Sequence, residues 1–451
     1  MKTFAKCIGV LVTLLFLSGS ALAWNNADRI SLAANGKGDL LFYKYYLAAA
    51  NGWETKISVT NTSLTASVVA KVVIRSYKNS TELLDFLIYL SPSDVWTAKL
   101  YQSGTATHIY SEDSSCRNAA SQWASADAPL DYALKTIGTE AMAFCSNDST
   151  SMGYIYIVQS AFATGAGQAV TTANFGKVGV SKADMATEYA AGVAGNASAF
   201  DVWNGTAPTP WNNSLAGYEL FFNRVLGMWS SAIQAVTLRD YKSMTFLGTG
   251  QTNRLGTLGE ANNNLAEIEA ALAKANISLP YVEATDKATV HIIGFPTKYT
   301  TSSTCVLPFT YAGPFFDATI GNHTNSDGTI TLSGVQVFDV NENTSAPEPF
   351  SPSPTAGGLR NEVNIFAVSA LNAEGFPEGW VYYPFSYTAL STTNQSGQTL
   401  TYTGIPALTA VIFFGDYDSY AIDGAWDDAT VSINGVVYPF YQASSSSTVT
   451  N

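Results

Sequence analysis

Residues 40–60, LLFYKYYLAAANGWETKISVT, indicate most directly how the chain folds. Two runs rich in aromatic and β-branched residues flank the dipeptide Asn51-Gly52, which favours a tight turn. In the second run Ile57 and Val59 alternate with polar residues, which is the period of a strand with one buried face. The stretch predicts a β-hairpin over residues 39–60.

Similar runs follow along the chain, separated by turns rich in Asn, Ser, Gly and Pro. Helical spacing of apolar residues predicts a helix over 264–275, and a second short helix is expected over 182–194, where the periodicity is weak. Short strands divided by turns indicate a mainly β fold, with two antiparallel β-sandwich (Ig-like) domains and a small helical and irregular insertion between them. The other predicted strands lie at residues 68–74, 83–90, 95–100, 153–158, 289–295, 329–340, 362–368, 379–383, 399–403 and 408–414, with a last hairpin over 430–438.

This pattern predicts an order of segments along the chain. Residues 101–150 lack a clear period and are expected to be irregular. The predicted segments are a signal peptide at 1–23, an N-terminal β-sandwich at 24–175, a mixed irregular and helical segment at 176–280, a C-terminal β-sandwich at 281–442 and a disordered tail at 443–451.

The first 23 residues have the form of a secretory signal peptide. Lys2 and Lys6 precede a short apolar run, which ends in the small-x-small site Ala21-Leu22-Ala23. The mature chain is therefore expected to start at Trp24 and to be exported to the cell surface or the extracellular space of a bacterium. No later apolar run has the length of a transmembrane helix, so the protein is not expected to be embedded in a membrane.

The composition is poor in charge and acidic in balance. Charged residues make up 13% of the chain, against about 25% in an average globular protein. The formal net charge is −13, and removal of Lys2 and Lys6 with the signal peptide makes it −15. Such a surface repels phosphate backbones and attracts divalent cations, so nucleic acid is excluded as a partner.

Three cysteines remain in the mature chain: Cys116, Cys145 and Cys305. In an oxidising compartment we expect one disulfide between Cys116 and Cys145, the pair nearest in sequence. The closed loop of about 30 residues would stabilise the fold by roughly 3.5 kcal/mol in the chain-entropy description. The pairing of Cys305 stays open.

Catalytic motifs are scarce. The histidines His108, His291 and His323 lie far apart, and no G-x-S-x-G nucleophile motif occurs in the mature chain. We expect His291, between Val290 and Ile292, to be an ordinary strand residue, and we assign no catalytic residue. A carboxylate pair for glycoside hydrolysis stays open, because its members need not be close in sequence. The candidates by residue type are Asp85, Asp94, Glu362, Glu374, Glu378, Asp416 and Asp418.

Two further binding sites are predicted from local composition. Carboxylates grouped in a Gly-containing loop suit Ca²⁺, the one candidate cofactor, although the spacing is not that of an EF-hand. Trp203 and Trp211 bracket a Gly/Pro/Thr loop, where exposed aromatic rings would stack on sugars, and Trp96 is expected in the core. The predicted calcium ligands are Asp416, Asp418, Asp423, Asp427 and Asp428.

Several motifs resemble those of a group of uncharacterised secreted bacterial surface proteins. The matching runs are YYLAAANGWETKISVTNTS (45–63), VVAKVVIRS (68–76), ELLDFLIYLSPSDVWTAKLYQ (82–102) and IYSEDSSC (109–116). Shorter matches follow at 153–158, 294–298, 361–364, 378–380 and 404–406, whereas 175–280 diverges. The resemblance implies export and a β-rich fold, and it implies no activity.

Together these features predict a secreted, non-enzymatic bacterial surface or extracellular protein with a structural or adhesive role, similar to a surface-layer component. Its expected partners are further copies of itself, other surface proteins, or glycans. The alternative is an extracellular carbohydrate-binding protein, or a glycoside hydrolase that uses a carboxylate pair.

Overall fold

The chain is mainly β, with antiparallel sheets, and its described part contains two short α-helices. The computed structural model describes residues 30–77, 80, 82–113, 130–134, 150–163, 175–202, 213–225, 228–229, 232–241, 243, 245–248, 264–284, 287–298, 330, 334–344, 359, 362–368, 375–385, 390–393, 399–402, 404–415, 422–423, 430–433 and 436–439.

The first half of the chain supplies two large sheets. Its elements are β1 (Ser31–Leu32), β2 (Leu40–Leu47), β3 (Trp53–Asn61), β4 (Ser67–Ser76), β5 (Glu82–Leu90), β6 (Val95–Ser103), β7 (Ala106–Ser111), β8 (Leu130–Ala133), β9 (Met152–Ala163), α1 (Lys182–Val193), β10 (Leu215–Asn223), β11 (Met228–Trp229), β12 (Ile233–Gln234) and β13 (Val236–Arg239).

The second half supplies smaller sheets. Its elements are α2 (Asn264–Leu272), β14 (Ala273–Lys274), β15 (Asn276–Val282), β16 (Lys287–Gly294), β17 (Gln336–Asp339), β18 (Val363–Ala367), β19 (Glu378–Pro384), β20 (Leu390–Thr393), β21 (Thr399–Tyr402), β22 (Ile405–Pro406), β23 (Leu408–Gly415), β24 (Ile422–Asp423), β25 (Thr430–Ile433) and β26 (Val436–Pro439).

Four sheets form successive layers. Sheet A has the strand order β1-β13-β2-β9-β4-β5, and sheet B has the order β11-β10-β3-β6-β7-β8, with β12 beside β10. Sheet C is β18-β16-β23, and sheet D is β15-β19-β17. Side chains of A and B share one hydrophobic core, the other face of A packs on C and α2, and the far face of C packs on D. The layers therefore follow the order B, A, C, D, and α1 covers the rest of A.

The strands of the first predicted hairpin are present, but their predicted pairing is wrong. Strand β2 pairs with β9 and β13 in sheet A, whereas β3 pairs with β6 and β10 in sheet B. The turn lies where expected, with Gly52 at a φ of +96°. The separation has a physical reason: β2 is apolar on both faces and needs cover on both, whereas β3 alternates and can face solvent.

Most other predicted strands are confirmed within a few residues, including the final β25–β26 hairpin. Residues 101–150 were expected to be irregular, but their described part contains the end of β6 and strands β7 and β8. The segment 176–280 also differs. Its strands β10 and β13 lie inside sheets B and A, so both large sheets extend beyond residue 175. The strand predicted over 329–340 is described as strand only from Gln336 to Asp339.

The expectation for His291 is confirmed, since it lies fully buried in β16 between sheets C and D. Its Nε2 is 2.9 Å from the carbonyl oxygen of Pro280, and its Nδ1 is 2.8 Å from the hydroxyl oxygen of Tyr383. A carbonyl only accepts, so Nε2 carries the proton and Nδ1 accepts from the tyrosine hydroxyl. Burial lowers the pKa of His291 to about 4.

This pKa predicts a loss of stability in acid. The folded state resists protonation, so the contribution of His291 is complete above pH 6.5 and is lost as the pH falls towards 4, by about 3 kcal/mol in total. Glu219 acts in the opposite sense, because burial raises its pKa to about 8. The measurement is therefore urea unfolding of the wild type and of His291→Gln from pH 7.5 to 3.5. The difference between the two curves should change below pH 6.5, and a constant difference would contradict the assignment.

Candidate functional site

The outer face of sheet B, here called the platform, carries aromatic and charged side chains across neighbouring strands. The inward residues Ile57, Leu100 and Ile109 are buried in the core shared with sheet A, and alternation directs their neighbours outward. The platform consists of Lys56, Lys99, Tyr101, His108, Tyr110, Asp131 and Phe222.

Strand register places these side chains in rows. Lys56 lies opposite Lys99, which lies opposite Tyr110, and Tyr110 in turn lies opposite Asp131. In the adjacent row Tyr101 lies opposite His108. Lys56 and Asp131 are exposed and the residues between them are half-buried, so the platform is open to solvent.

Aromatic rings hold the two lysines. The Nζ of Lys99 lies 4.6 Å from the ring centroid of Tyr101 and 5.1 Å from that of Tyr110. The Nζ of Lys56 lies 5.1 Å from the ring centroid of Phe222. Each contact is a cation–π interaction, worth about 0.5–1 kcal/mol at an exposed position. The contacts fix the ammonium groups above the sheet without neutralising them.

A polar cluster lies beside the lysines. Asp131 Oδ1 is 2.9 Å from Nδ1 of His108 and 3.1 Å from the hydroxyl oxygen of Tyr101, which donates to the carboxylate. Partial burial and the nearby carboxylate raise the pKa of Tyr101. Within the described residues no serine, threonine or cysteine side chain hydrogen-bonds to His108. This cluster can accept hydrogen bonds from ligand hydroxyl groups and donate hydrogen bonds to them.

The candidate carboxylates have structural contacts. Asp85 Oδ2 lies 2.8 Å from Nζ of buried Lys71. Glu362 is fully buried and accepts from the hydroxyl of Tyr154 at 3.0 Å. Glu378 is exposed at the start of β19, and Glu374, Asp416 and Asp418 lie outside the described residues. Among the described residues, these contacts therefore single out no pair of carboxylates for glycoside hydrolysis.

Glu362 belongs to an enclosed polar cluster where sheets A and C meet. Arg75 lies 3.3 Å from Glu82 through Nη2, and its Nη1 donates to the carbonyl oxygen of Ser80 at 2.8 Å. The Ser80 and Tyr154 hydroxyl oxygens are 2.6 Å apart. Glu362, Arg75 and Glu82 are each at most 3% exposed, so the cluster joins the two sheets rather than facing a ligand.

The turn of the SPSDVW motif is also structural. Asp94 accepts from the backbone N–H and the hydroxyl of Ser91 at 3.0 and 3.2 Å, and it forms an ion pair with Lys182 of α1. The amide of Asn61 donates to the carbonyl oxygens of Leu90 and Ser91 at 3.3 and 3.0 Å. Trp96 lies in the core as predicted. The motif therefore fixes a turn and its attachment to α1.

Most residues of the predicted calcium, glycan-binding and disulfide sites lie outside the described part of the chain. Asp423 lies in the short strand β24, whereas the remaining predicted calcium ligands are outside the described residues. In the described part of the chain no three His, Cys, Asp or Glu side chains are grouped as metal ligands. The predicted site residues outside the described part of the chain are Cys116, Cys145, Cys305, Trp203, Trp211, Asp416, Asp418, Asp427 and Asp428.

The platform was not predicted from the sequence. Its strands β7 and β8 fall in the segment expected to be irregular. Burial alternates along β7, but its inward positions are Thr107, Ile109 and Ser111, so the sequence of this strand carries no polar–apolar alternation that would identify it.

Comparison with protein-family models, curated proteins and solved structures gave no match. Among the described helices, neither has the length and apolar character that a membrane crossing requires.

Proposed function

We propose that this protein is a secreted, non-enzymatic adhesive protein of the bacterial surface, which binds extracellular glycans through the platform. The observation that carries the proposal is an open sheet face on which Tyr101 and Tyr110 stand beside hydrogen-bonding groups. Sugars are bound in this way, because their C–H faces pack on aromatic rings while their hydroxyl groups bond to polar side chains. The signal-peptide pattern of residues 1–23 supports an extracellular location.

The proposal includes two finer points. Antiparallel sheets A and B around one shared core, and C and D around another, support an Ig-like β-sandwich for each pair. The acidic residues at 416–428 support calcium as a ligand that would stiffen the C-terminal part.

A structural, surface-layer-like role is the second candidate. Trp380 stacks on Phe338 on the outer face of sheet D, with ring centroids 5.1 Å apart and planes 9° from parallel. Partly exposed aromatic rings thus occur on both outermost sheets, B and D, where copies of the chain would meet.

The test is binding of residues 24–451 to an array of bacterial and plant polysaccharides. Tyr101→Ala/Tyr110→Ala should weaken binding at least tenfold, about 1.4 kcal/mol, because two ring surfaces are removed. Tyr382→Ala on sheet D is the matched control and should bind as the wild type does. Light scattering on the same samples distinguishes the surface-layer-like role from glycan adhesion. A mass that rises with concentration, with no glycan bound, would favour self-assembly over adhesion.

A further inference from the structure

Lys56 and Lys99 occupy directly opposite positions on the antiparallel strands β3 and β6. Like charges at opposite positions of a sheet destabilise it, because their side chains are neighbours on one face. Either position would accept a neutral polar residue, as the neighbouring positions Ser58 and Thr97 do. The fold therefore does not require two ammonium groups here.

Nothing in the described part of the chain neutralises this pair. Neither lysine forms an ion pair there, whereas Arg224 pairs with Glu54. Asp131 lies 2.9 Å from Nδ1 of His108, not beside a lysine ammonium group. The rings of Phe222, Tyr101 and Tyr110 hold the two ammonium groups in place, but they carry no negative charge.

We infer that the Lys56–Lys99 pair binds the carboxylate of an acidic sugar. This inference rests on the adhesive function proposed for the platform and names the ligand class. Each ammonium group can donate to a sugar carboxylate, and charged hydrogen bonds of this kind are stronger than neutral ones.

The surroundings favour a sugar over a phosphate polymer. Asp131 and Glu112 lie beside Tyr110, and a row of phosphates crossing the platform would meet these carboxylates. A sugar hydroxyl instead donates to a carboxylate. The net charge, −13 for the full chain and −15 without Lys2 and Lys6, also repels a long polyanion. A short acidic sugar experiences mainly the local lysine pair, because salt screens charges beyond about 8–10 Å.

The test uses trigalacturonic acid and its fully methyl-esterified counterpart, in which a methyl group on each carboxyl removes the charge. Calorimetric titration into residues 24–451 should show binding of the acid and at least tenfold weaker binding of the ester. Binding of the acid should also weaken as NaCl rises from 50 to 500 mM. Equal binding of acid and ester would overturn the inference.

Variants locate the site. Lys56→Gln/Lys99→Gln should weaken binding of the acid at least tenfold. It should still unfold in one cooperative melting transition, because the repulsion that is removed offsets part of the lost cation–π contacts. Lys37→Gln, at an exposed lysine outside the platform, is the matched control and should bind as the wild type does.

The remaining outcomes also decide. If Tyr101→Ala/Tyr110→Ala abolishes glycan binding and the lysine variant does not, the proposed function holds and this inference fails. If neither variant affects any glycan, both fail. Tighter binding of a single-stranded oligothymidylate than of the acid would assign the lysines to phosphate and overturn the inference.

Discussion

Lys71→Ala is expected to lower the free energy of unfolding by about 3–5 kcal/mol. Nζ of Lys71 lies 2.8 Å from Oδ2 of Asp85 and donates to the carbonyl oxygen of Gly248 at 2.6 Å. The lysine side chain is fully buried and that of Asp85 is 7% exposed. The truncation leaves the carboxylate with neither water nor its cation, and this desolvated charge carries the cost. Urea unfolding of residues 24–451 measures it.

The double variant Lys71→Met/Asp85→Leu is the control for this pair. It removes both charges and retains apolar volume, so it should recover most of the loss. The remaining loss in the free energy of unfolding should be near 1 kcal/mol, the usual contribution of one hydrogen bond, because the carbonyl oxygen of Gly248 loses the lysine as donor. A double variant as unstable as Lys71→Ala would show that packing, not the unpaired charge, causes the loss.

Trp96→Ala is expected to cost about 3–5 kcal/mol, because it opens a cavity between sheets A and B. Trp96 is fully buried in β6 and packs edge-on against Phe86 of β5, with ring centroids 5.6 Å apart. Sheets A and B meet at this contact, so both sheets should unfold at a lower urea concentration in the variant.

Trp96→Phe separates the volume of this side chain from its polarity. Nε1 of Trp96 is buried and has no hydrogen-bond partner among the described residues, so the phenylalanine removes an unsatisfied donor while it keeps most of the apolar surface. Its cost should stay below about 1.5 kcal/mol. A cost equal to that of Trp96→Ala would mean that the indole N–H is bonded in solution.

The positions of most strands were predictable because the chain alternates clearly or is continuously apolar. Strand β4, for example, is buried along its whole length, as its run of Val and Ile indicates. Strand partners were not predictable from the turn alone. The Asn51-Gly52 turn favours a hairpin, but the need to cover both faces of β2 places it in a different sheet from β3.

The candidate site was the least predictable part. Residue type drew attention to tryptophans and acidic residues, whereas the platform arises from the register of β3, β6, β7 and β8. Lys56 and Lys99 are distant in sequence, and only the β3–β6 pairing makes them neighbours. Glu362 is a second example, because residue type alone does not distinguish a buried carboxylate that joins two sheets from a catalytic one.

The late strands of sheets A and B have a consequence for biogenesis. Phe42 of β2 pairs with Val236 of β13, and Asn61 of β3 pairs with Leu215 of β10. Contacts so distant in sequence slow folding, since a long loop must close first. Until residue 239 has been synthesised, one edge of β2 and one edge of β3 lack these partners and can recruit other chains. A chain stopped before β10 should therefore aggregate, and a holdase chaperone that covers these edges would raise the yield of the native protein.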